Sequence, residues 1–362
     1  MIEPAEPGVI FYPVTIDEVR TVNQAQAVPQ ANVGAVTEPA IHVRAEWGEL
    51  KECVYGGFSQ FVFPKFLQDA DVRPSGEFRQ FWFNNQERDV READPAYFDR
   101  WRSQVEGAVR FLEDAGVRIQ LPEPMSESNM LYPRGENHGV LTGWLRDPFV
   151  TIGNNVIELA PRSMFHRRQR FAIRHILAST MSRGARYFAQ PDSGADDDNE
   201  GQPGWGYLEG GDILVLGKKI LVGHSGNCSN AEGARWLQHM LGADYDVEMV
   251  AVDPRFSHLD CVMLTPREGV AVVCLESLPE GVPECMKDWD LIDVSYEVTK
   301  MHTGCNNLTL NDHTVLMPTG EAHDRVAGEL KKRRFEVSRL PYDAVYCMGG
   351  SFRCAHQPLI RT

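Results

Sequence analysis

The sequence predicts a single α/β domain built by repetition, an array or propeller of β-hairpins with helices between them. Three observations carry that prediction. Paired β-like runs around polar turns occur five times between Glu46 and Met317. Stretches with helical spacing of apolar residues separate several of the pairs. The units recur at about 50–60 residues, a period at which supersecondary units stack on one another. A chain of 362 residues, 43% hydrophobic and 24% charged, is long enough for a sizeable core. Repeat-built α/β folds reach this length as one domain.

Residues 1–40 are rich in Pro, Val, Ala and Gln without periodicity. They read as an irregular N-terminal arm that wraps the domain or the partner subunit of a homodimer, leaving 41–362 as the domain. The first unit, 46–57, is the least regular of the five. Residues 66–100 are charged and aromatic, with Phe78, Phe81, Trp82 and Phe83 close together, and read as an insertion. In 95–115 the apolar residues Phe98, Trp101, Val105, Val109 and Leu112 lie on one helical face, and Gly116 supplies a C′ glycine. Residues 117–121 alternate and stop at Pro122, as a strand does.

The second hairpin pairs 149–152 with 156–159 across Gly153-Asn154-Asn155, a turn favourable where positive φ is needed. A basic helix is expected over 162–181, and an acidic surface loop over 192–202. The third hairpin, 212–216 and 220–223 across Gly217-Lys218-Lys219, is the clearest. A helix over 230–241 and a strand near Val247 follow. The fourth hairpin pairs 261–264 with 270–275, and the fifth pairs 308–310 with 314–317. A helix at 322–332 and a strand at 335–340 lead to the tail.

Composition narrows the function. The formal net charge of −15 disfavours a phosphate backbone, so no nucleic acid is expected; an acidic protein suits a cationic ligand. Eight cysteines without C-x-x-C spacing argue against a zinc cluster or a disulfide scaffold, so no metal or cofactor is expected. Residues 1–6 lack a basic stretch leading into an apolar one, and no run approaches the roughly 18 apolar residues of a membrane helix. A reduced, cytoplasmic protein that does not enter a membrane is the expectation.

Polar residues recur just before the first strand of four hairpins: Arg146-Asp147, Glu209-Gly210-Gly211-Asp212, His258-Leu259-Asp260 and Asn306-Asn307. Each has an ordinary explanation as a turn or a structural pair. If the units surround an axis, however, these starts converge at one end of it. The tail then delivers Gly349-Gly350-Ser351-Phe352-Arg353-Cys354 to the same place, a thiol at the end of a glycine-rich loop. A Cys and a His make a nucleophile and its acid/base partner, and a carboxylate orients the His. Further carboxylates beside a thiol raise its pKa unless the substrate is cationic. A guanidinium pairs bidentately with carboxylates and carries an electrophilic carbon.

Arg146-Asp147, Glu209-Gly210-Gly211-Asp212, His258-Leu259-Asp260 and Gly349-Gly350-Ser351-Phe352-Arg353-Cys354 in this order, with Gly116-Val117-Arg118 and the stretch from Asp147 to Glu158, resemble the guanidino-group modifying superfamily. Among its branches the chain looks most like the amidinotransferases. The resemblance implies a five-bladed, pseudo-fivefold α/β propeller of ββαβ units (pentein-type). It implies Cys354 as nucleophile, His258 as general acid/base, Glu209 as its partner, and Asp147 and Asp260 as guanidinium ligands. Asp212, Arg146, Asn307 and Arg353 are expected to complete the substrate site. Glu-Gly-Gly-Asp is the text of the deiminase branches; amidinotransferases carry Asp-Ala-Ala-Asp-like text there. Ser277 stands where glycine amidinotransferases have the arginine that holds the donor carboxylate, with Arg267 and Lys300 as substitutes. The expected activity is that of an L-arginine:amine amidinotransferase. A guanidine donor, arginine, passes its amidino group through Cys354 to an acceptor amine such as glycine, lysine, a polyamine or an aminocyclitol. The alternative is a deiminase releasing ammonia and a ureido product. A non-catalytic propeller used for binding would lack the Cys and the His.

Overall fold

A computed structural model describes residues 40–57, 60–63, 84–132, 139–192 and 204–362. Its strands assemble on one plan used five times. In the first sheet β1 (His42–Val43), β18 (His356–Arg361), β2 (Leu50–Tyr55) and β4 (Arg118–Gln120) lie in the order β1-β18-β2-β4. The next three-stranded sheet is β6 (Phe149–Ile152), β7 (Asn155–Glu158) and β8 (Arg186–Ala189). The third is β9 (Ile213–Leu216), β10 (Lys219–His224) and β11 (Asp246–Ala251). The fourth is β12 (Met263–Arg267), β13 (Val270–Val273) and β14 (Asp290–Asp293). The fifth is β15 (Leu308–Asn311), β16 (Thr314–Pro318) and β17 (Glu336–Leu340). In every case the central strand takes an antiparallel partner on one side and a parallel one on the other. A small pair, β3 (Phe61–Val62) with β5 (Val140–Leu141), stands apart.

An antiparallel pair needs only a tight turn, whereas a parallel third strand needs a crossover, usually a helix. In the first unit that crossover is α1 (Pro95–Asp114). The Asp94 carboxylate accepts the Tyr97 N–H at its start, and proline occupies its first turn, where an N–H is not needed. Phe98, Trp101, Val105, Ala108 and Leu112 form its buried face. Burying side chains of this size contributes about 1.5–3 kcal/mol each. Gly116 at φ 83° ends the helix. In the second unit the expected basic helix is broken into α2 (Met164–Gln169) and α3 (Arg174–Ser179), joined by a 3-10 turn, with a second 3-10 turn, Thr180–Arg183, after α3. The third unit uses α4 (Ala231–Leu241), capped by the Asn230 side chain accepting from the Gly233 N–H. The fourth crosses over through two 3-10 turns, Leu275–Ser277 and Glu284–Met286. Two more helices, α5 (Tyr296–His302) and α6 (Asp324–Lys332), flank the fifth hairpin.

The first unit departs most from expectation. Residues 46–57 do not form a local hairpin: the antiparallel partner of β2 is β18, with His356 opposite Tyr55 and Gln357 opposite Val54. The first two described strands and the last therefore share one sheet. Contacts run from β18 to β6, from β9 to the turn Leu259–Cys261, from β12 to β15 and from β15 to β2. Between the second and third sheets the Gly210 N–H donates to Asp147 O at 3.1 Å. Each unit thus touches the next, and the fifth returns to the first. The expected arm over 1–40 lies outside the described residues except for Ala40, as do 66–83 of the insertion and 193–202 of the acidic loop. Among the described residues no helix is long and apolar enough to cross a membrane.

Candidate active site

The residues preceding each first strand gather at one end of the sheets. Cys354 sits in a single helical turn, α7 (Phe352–Ala355), rather than on a loose tail, and is 5% exposed. The glycines before it are structural requirements. Gly349 has φ 97°, and a Cβ on Gly350 would lie 3.0 Å from the Cys354 Cβ. The turn is held by Asn306, whose Oδ1 accepts the N–H of Ser351 at 2.8 Å and that of Cys354 at 3.2 Å. Its Nδ2 donates to Asp260 O at 3.0 Å, which ties the Cys354 turn to the fourth unit. The thiol points at the Asp260 carboxylate, 3.5 Å from Oδ2 and 3.7 Å from Oδ1.

Across the site His258 Nε2 meets Glu209 Oε2 at 2.7 Å and lies 3.7 Å from Asp147 Oδ1. The Gly210-Gly211 pair makes this packing possible. A Cβ on Gly211 would come within 2.7 Å of the His258 ring and 2.9 Å of Asp147 Oδ1. The Gly211 N–H in turn donates to Asp147 Oδ1 at 3.0 Å. On its other oxygen Asp147 faces His166 Nδ1 at 3.6 Å.

Burial and neighbouring charge set the protonation states. Burial raises the Glu209 pKa, but its hydrogen bond to His258 and the charges of His166 and His258 outweigh this and hold it at about 2. His258 is pushed well above 6.5: burial alone would lower it, and Asp147 overcomes that effect. Burial raises Asp147, with the two histidines opposing. The Cys354 thiol is raised by its interaction with Cys261, by burial and by the Asp260 carboxylate. The site thus favours the protonated form of His258 and disfavours the ionised form of the Cys354 thiol.

Four of the expected substrate-site residues are turned to structural duty. Asp212 accepts the Leu259 N–H on one oxygen at 3.0 Å and the Ser229 N–H on the other at 3.1 Å. Arg146 and Arg353 both face the buried Glu46, at 3.2 and 3.0 Å, and Arg353 also reaches Asp260 Oδ2 at 2.9 Å. Burial raises Glu46, yet Arg353, Arg146 and Arg361 together bring it down to about 2. Asn307 donates to Gly304 O at 2.9 Å. Ser277 is buried with its Oγ 3.2 Å from Cys274 Sγ. Arg267, at the far end of β12, stacks over Phe335. Lys300 lies over Phe256, two residues before His258.

Sequence reasoning missed Glu46, His166, Cys228, Cys261 and Asn306. Cys261 adjoins a residue that was named, Asn306 was named beside Asn307 but given no role, and His166 was hidden in the basic run. Among the described residues three overlapping sets place His, Cys and carboxylate donor atoms within 4.8 Å of one another: Glu209–Cys228–His258, His258–Asp260–Cys261 and Asp147–His166–Glu209. A cavity of about 880 Å³ at the hairpin-turn end, lined among others by Trp47, Gly217, Glu268, Trp289 and Asn311, contains none of the site residues.

Comparison with known proteins gives the same picture. The chain is 24% identical to the L-arginine:L-lysine amidinotransferase of Pseudomonas savastanoi pv. phaseolicola over 86% of this chain and 91% of that one. It is 24% identical to inosamine-phosphate amidinotransferase 1 of Streptomyces griseus over 89% and 97%. The solved structure of the amidinotransferase SxtG from Microseira wollei superposes with a TM-score of 0.73, at 19% identity, over 89% of this chain and 97% of that one. The fold is therefore that of the amidinotransferases. Residues 86–361 match the family described as N,N dimethylarginine dimethylhydrolase, eukaryotic. The chain belongs to that family, a branch of the guanidino-group modifying superfamily whose amidinotransferases are its full-length relatives.

Proposed function

We propose that the five units surround a pseudo-fivefold axis as a propeller, and that at its strand-start end Cys354 carries an amidino group from a guanidine donor to an amine. The observation that carries this reading is the thiol 3.5 Å from Asp260 while His258 bridges Glu209 and Asp147. Two carboxylates beside a nucleophile oppose thiolate formation until a cation enters. A guanidinium held by Asp147 and Asp260 neutralises them, favours thiolate and presents its carbon to sulfur. Cys354 Sγ bonds to that carbon. The C–N bond to the departing amine then breaks as His258, charged because its pKa is raised, gives that nitrogen a proton. Glu209 keeps the imidazole oriented. An acceptor amine gives a proton back to His258 and attacks the amidino carbon, and the C–S bond breaks to free Cys354.

Arginine as donor and an amine as acceptor follow the relatives that span the chain, one of which is named for arginine and lysine. Arg146, Arg353, Asp212 and Asn307 position this machinery rather than touch substrate. The hydrolase named by the matched family is the second reading: water takes the place of the amine, and a ureido product leaves. Arginine incubated with the protein and a panel of amines, followed by mass spectrometry, separates the two. Ornithine formed together with one amidinated amine supports transfer. Citrulline with ammonia in the absence of amine overturns transfer in favour of hydrolysis. A Cys354→Ala variant that still transfers would remove Cys354 from the reaction.

A further inference from the structure

Cys261 follows Asp260 directly, yet the reaction above does not use it. Its neighbour Val262 enters the core, fully buried, while the Cys261 side chain turns back toward the site. Its Sγ lies 3.6 Å from Asp260 Oδ1, the oxygen that Cys354 Sγ approaches to 3.7 Å. Two sulfurs that touch one oxygen at these distances are no more than about 7 Å apart. Rotation about χ1 is the movement available to close that gap to disulfide geometry. Cys261 is also half-buried where Cys354 is buried, so an oxidant reaches the pair from its side.

We propose that Cys261 and Cys354 are a redox pair, which a hydroperoxide converts to a reversible intramolecular disulfide that takes the nucleophile out of service. The balance is complete with one equivalent of oxidant. One member of the pair, as thiolate, attacks the hydroperoxide. Its O–O bond breaks, an alcohol or water leaves, and a sulfenic acid remains. The second thiol attacks that sulfur, the S–O bond breaks and water leaves. Two thiols and one hydroperoxide give a disulfide, an alcohol or water, and a water.

The electrostatics favour this course. Interaction with Cys354 is the main influence lowering Cys261, burial opposes it, and the hydrogen bond to His258 adds to the lowering, so that its value comes to about 7. The first proton of the pair is thus the easy one to lose, and the second, on Cys354, is the hard one. A thiolate beside a thiol is the arrangement in which sulfenic acid resolves to disulfide before further oxidation. Cys53 and Cys305 are buried away from the site with raised pKa values. Cys228, beside Glu209 and His258, is the competing partner, and burial raises it.

The test reads the thiols and does not depend on the reaction assigned above. The purified protein is treated with hydrogen peroxide, alkylated, digested and mapped by mass spectrometry with and without dithiothreitol. The wild type is expected to lose two hydrogens, to give one linked peptide joining Cys261 to Cys354, and to regain both thiols on reduction. In Cys261→Ser, which keeps a hydrogen-bonding group, Cys354 is expected to pass to sulfinic acid, which dithiothreitol does not restore. Irreversible oxidation of Cys354 in the wild type should be about tenfold less than in that variant. A Cys354–Cys228 link, or equal sulfinic acid in both proteins, overturns the pair. The wild-type map decides the matter even if the variant fails to fold.

Discussion

Replacing Glu46 by Gln tests whether the charge knot under the site holds the fold together. Glu46 Oε1 accepts from Arg146 Nη2 at 3.2 Å and from the Val215 N–H at 3.1 Å, and Oε2 accepts from Arg353 Nη2 at 3.0 Å. Gln keeps the shape but removes the charge and turns a donor toward a guanidinium. Two routes give the size of the loss. Holding the carboxyl at about 2 in place of 4.5, at 1.36 kcal/mol per pH unit, is worth about 3 kcal/mol. Removing one partner of a buried ion pair costs about 3–5 kcal/mol. The folded value is depressed, so the contribution is complete above the unfolded value of 4.5 and is lost as pH falls toward about 2. Urea unfolding should therefore show E46Q about 3 kcal/mol less stable than wild type at pH 7, and only about 1.4 kcal/mol less stable at pH 3. A gap below about 1 kcal/mol at pH 7, or one that does not narrow on acidification, would refute the reasoning. Either result would mean that Asp260 or water satisfies the arginines without Glu46.

Two further substitutions probe the site itself. Asn306→Ala strands the N–H groups of Ser351 and Cys354, at about 1–3 kcal/mol for each buried group left unpaired. The measurable outcome is slower alkylation of Cys354 by a cationic amidine reagent together with a lower urea midpoint. Gly211→Ala places a methyl 2.7 Å from the His258 ring, and a displacement of about 1 Å at a reacting group costs about 100-fold in rate. Turnover should fall by about that factor while overpacking costs only about 1–3 kcal/mol in stability, checked by steady-state kinetics and thermal unfolding.

Four of the five repeated units were legible because they are local. Gly153 and Gly217 take φ values of 58° and 71°, so their turns and flanking apolar runs could be read from the sequence. The first unit was not legible, because β2 pairs with a strand about 300 residues later and no local pattern specifies such a partner. The site shows a second limit. Asp147, Glu209, His258 and Asp260 were singled out by their recurrence before strands and Cys354 by the glycine-rich tail, and the structure brings them together. Asn307 was gathered by the same recurrence, and Arg146 and Arg353 adjoin residues so named. Arg146, beside Asp147, and Arg353, beside Cys354 in its helical turn, are instead drawn to the buried Glu46. Asn306, not Asn307, holds the Cys354 turn. Glu46 escaped because its partners come from three separate stretches of chain.

The closing strand links these observations. β18 pairs with β2, and its Gln357 side chain donates to Arg146 O at 3.0 Å and to Phe149 O at 2.6 Å, joining the second unit to the first. Arg361, at its end, donates to Gly48 O at 2.7 Å and to Thr309 O at 2.8 Å, joining the fifth. Cys354 lies two residues before this strand, and Glu46 four residues before β2. Cys354 and the charge knot therefore reach their places only when the last strand docks. Asp212, by contrast, is bound to the Leu259 and Ser229 amides within the third and fourth units, and that contact needs no contribution from either chain end. The His258 side of the site is built by neighbouring units, while the Cys354 side is built by closure. Thiol reactivity at Cys354 consequently reports the docking of β18 and, through Asn306, the seat of the Cys354 turn on the fourth and fifth units.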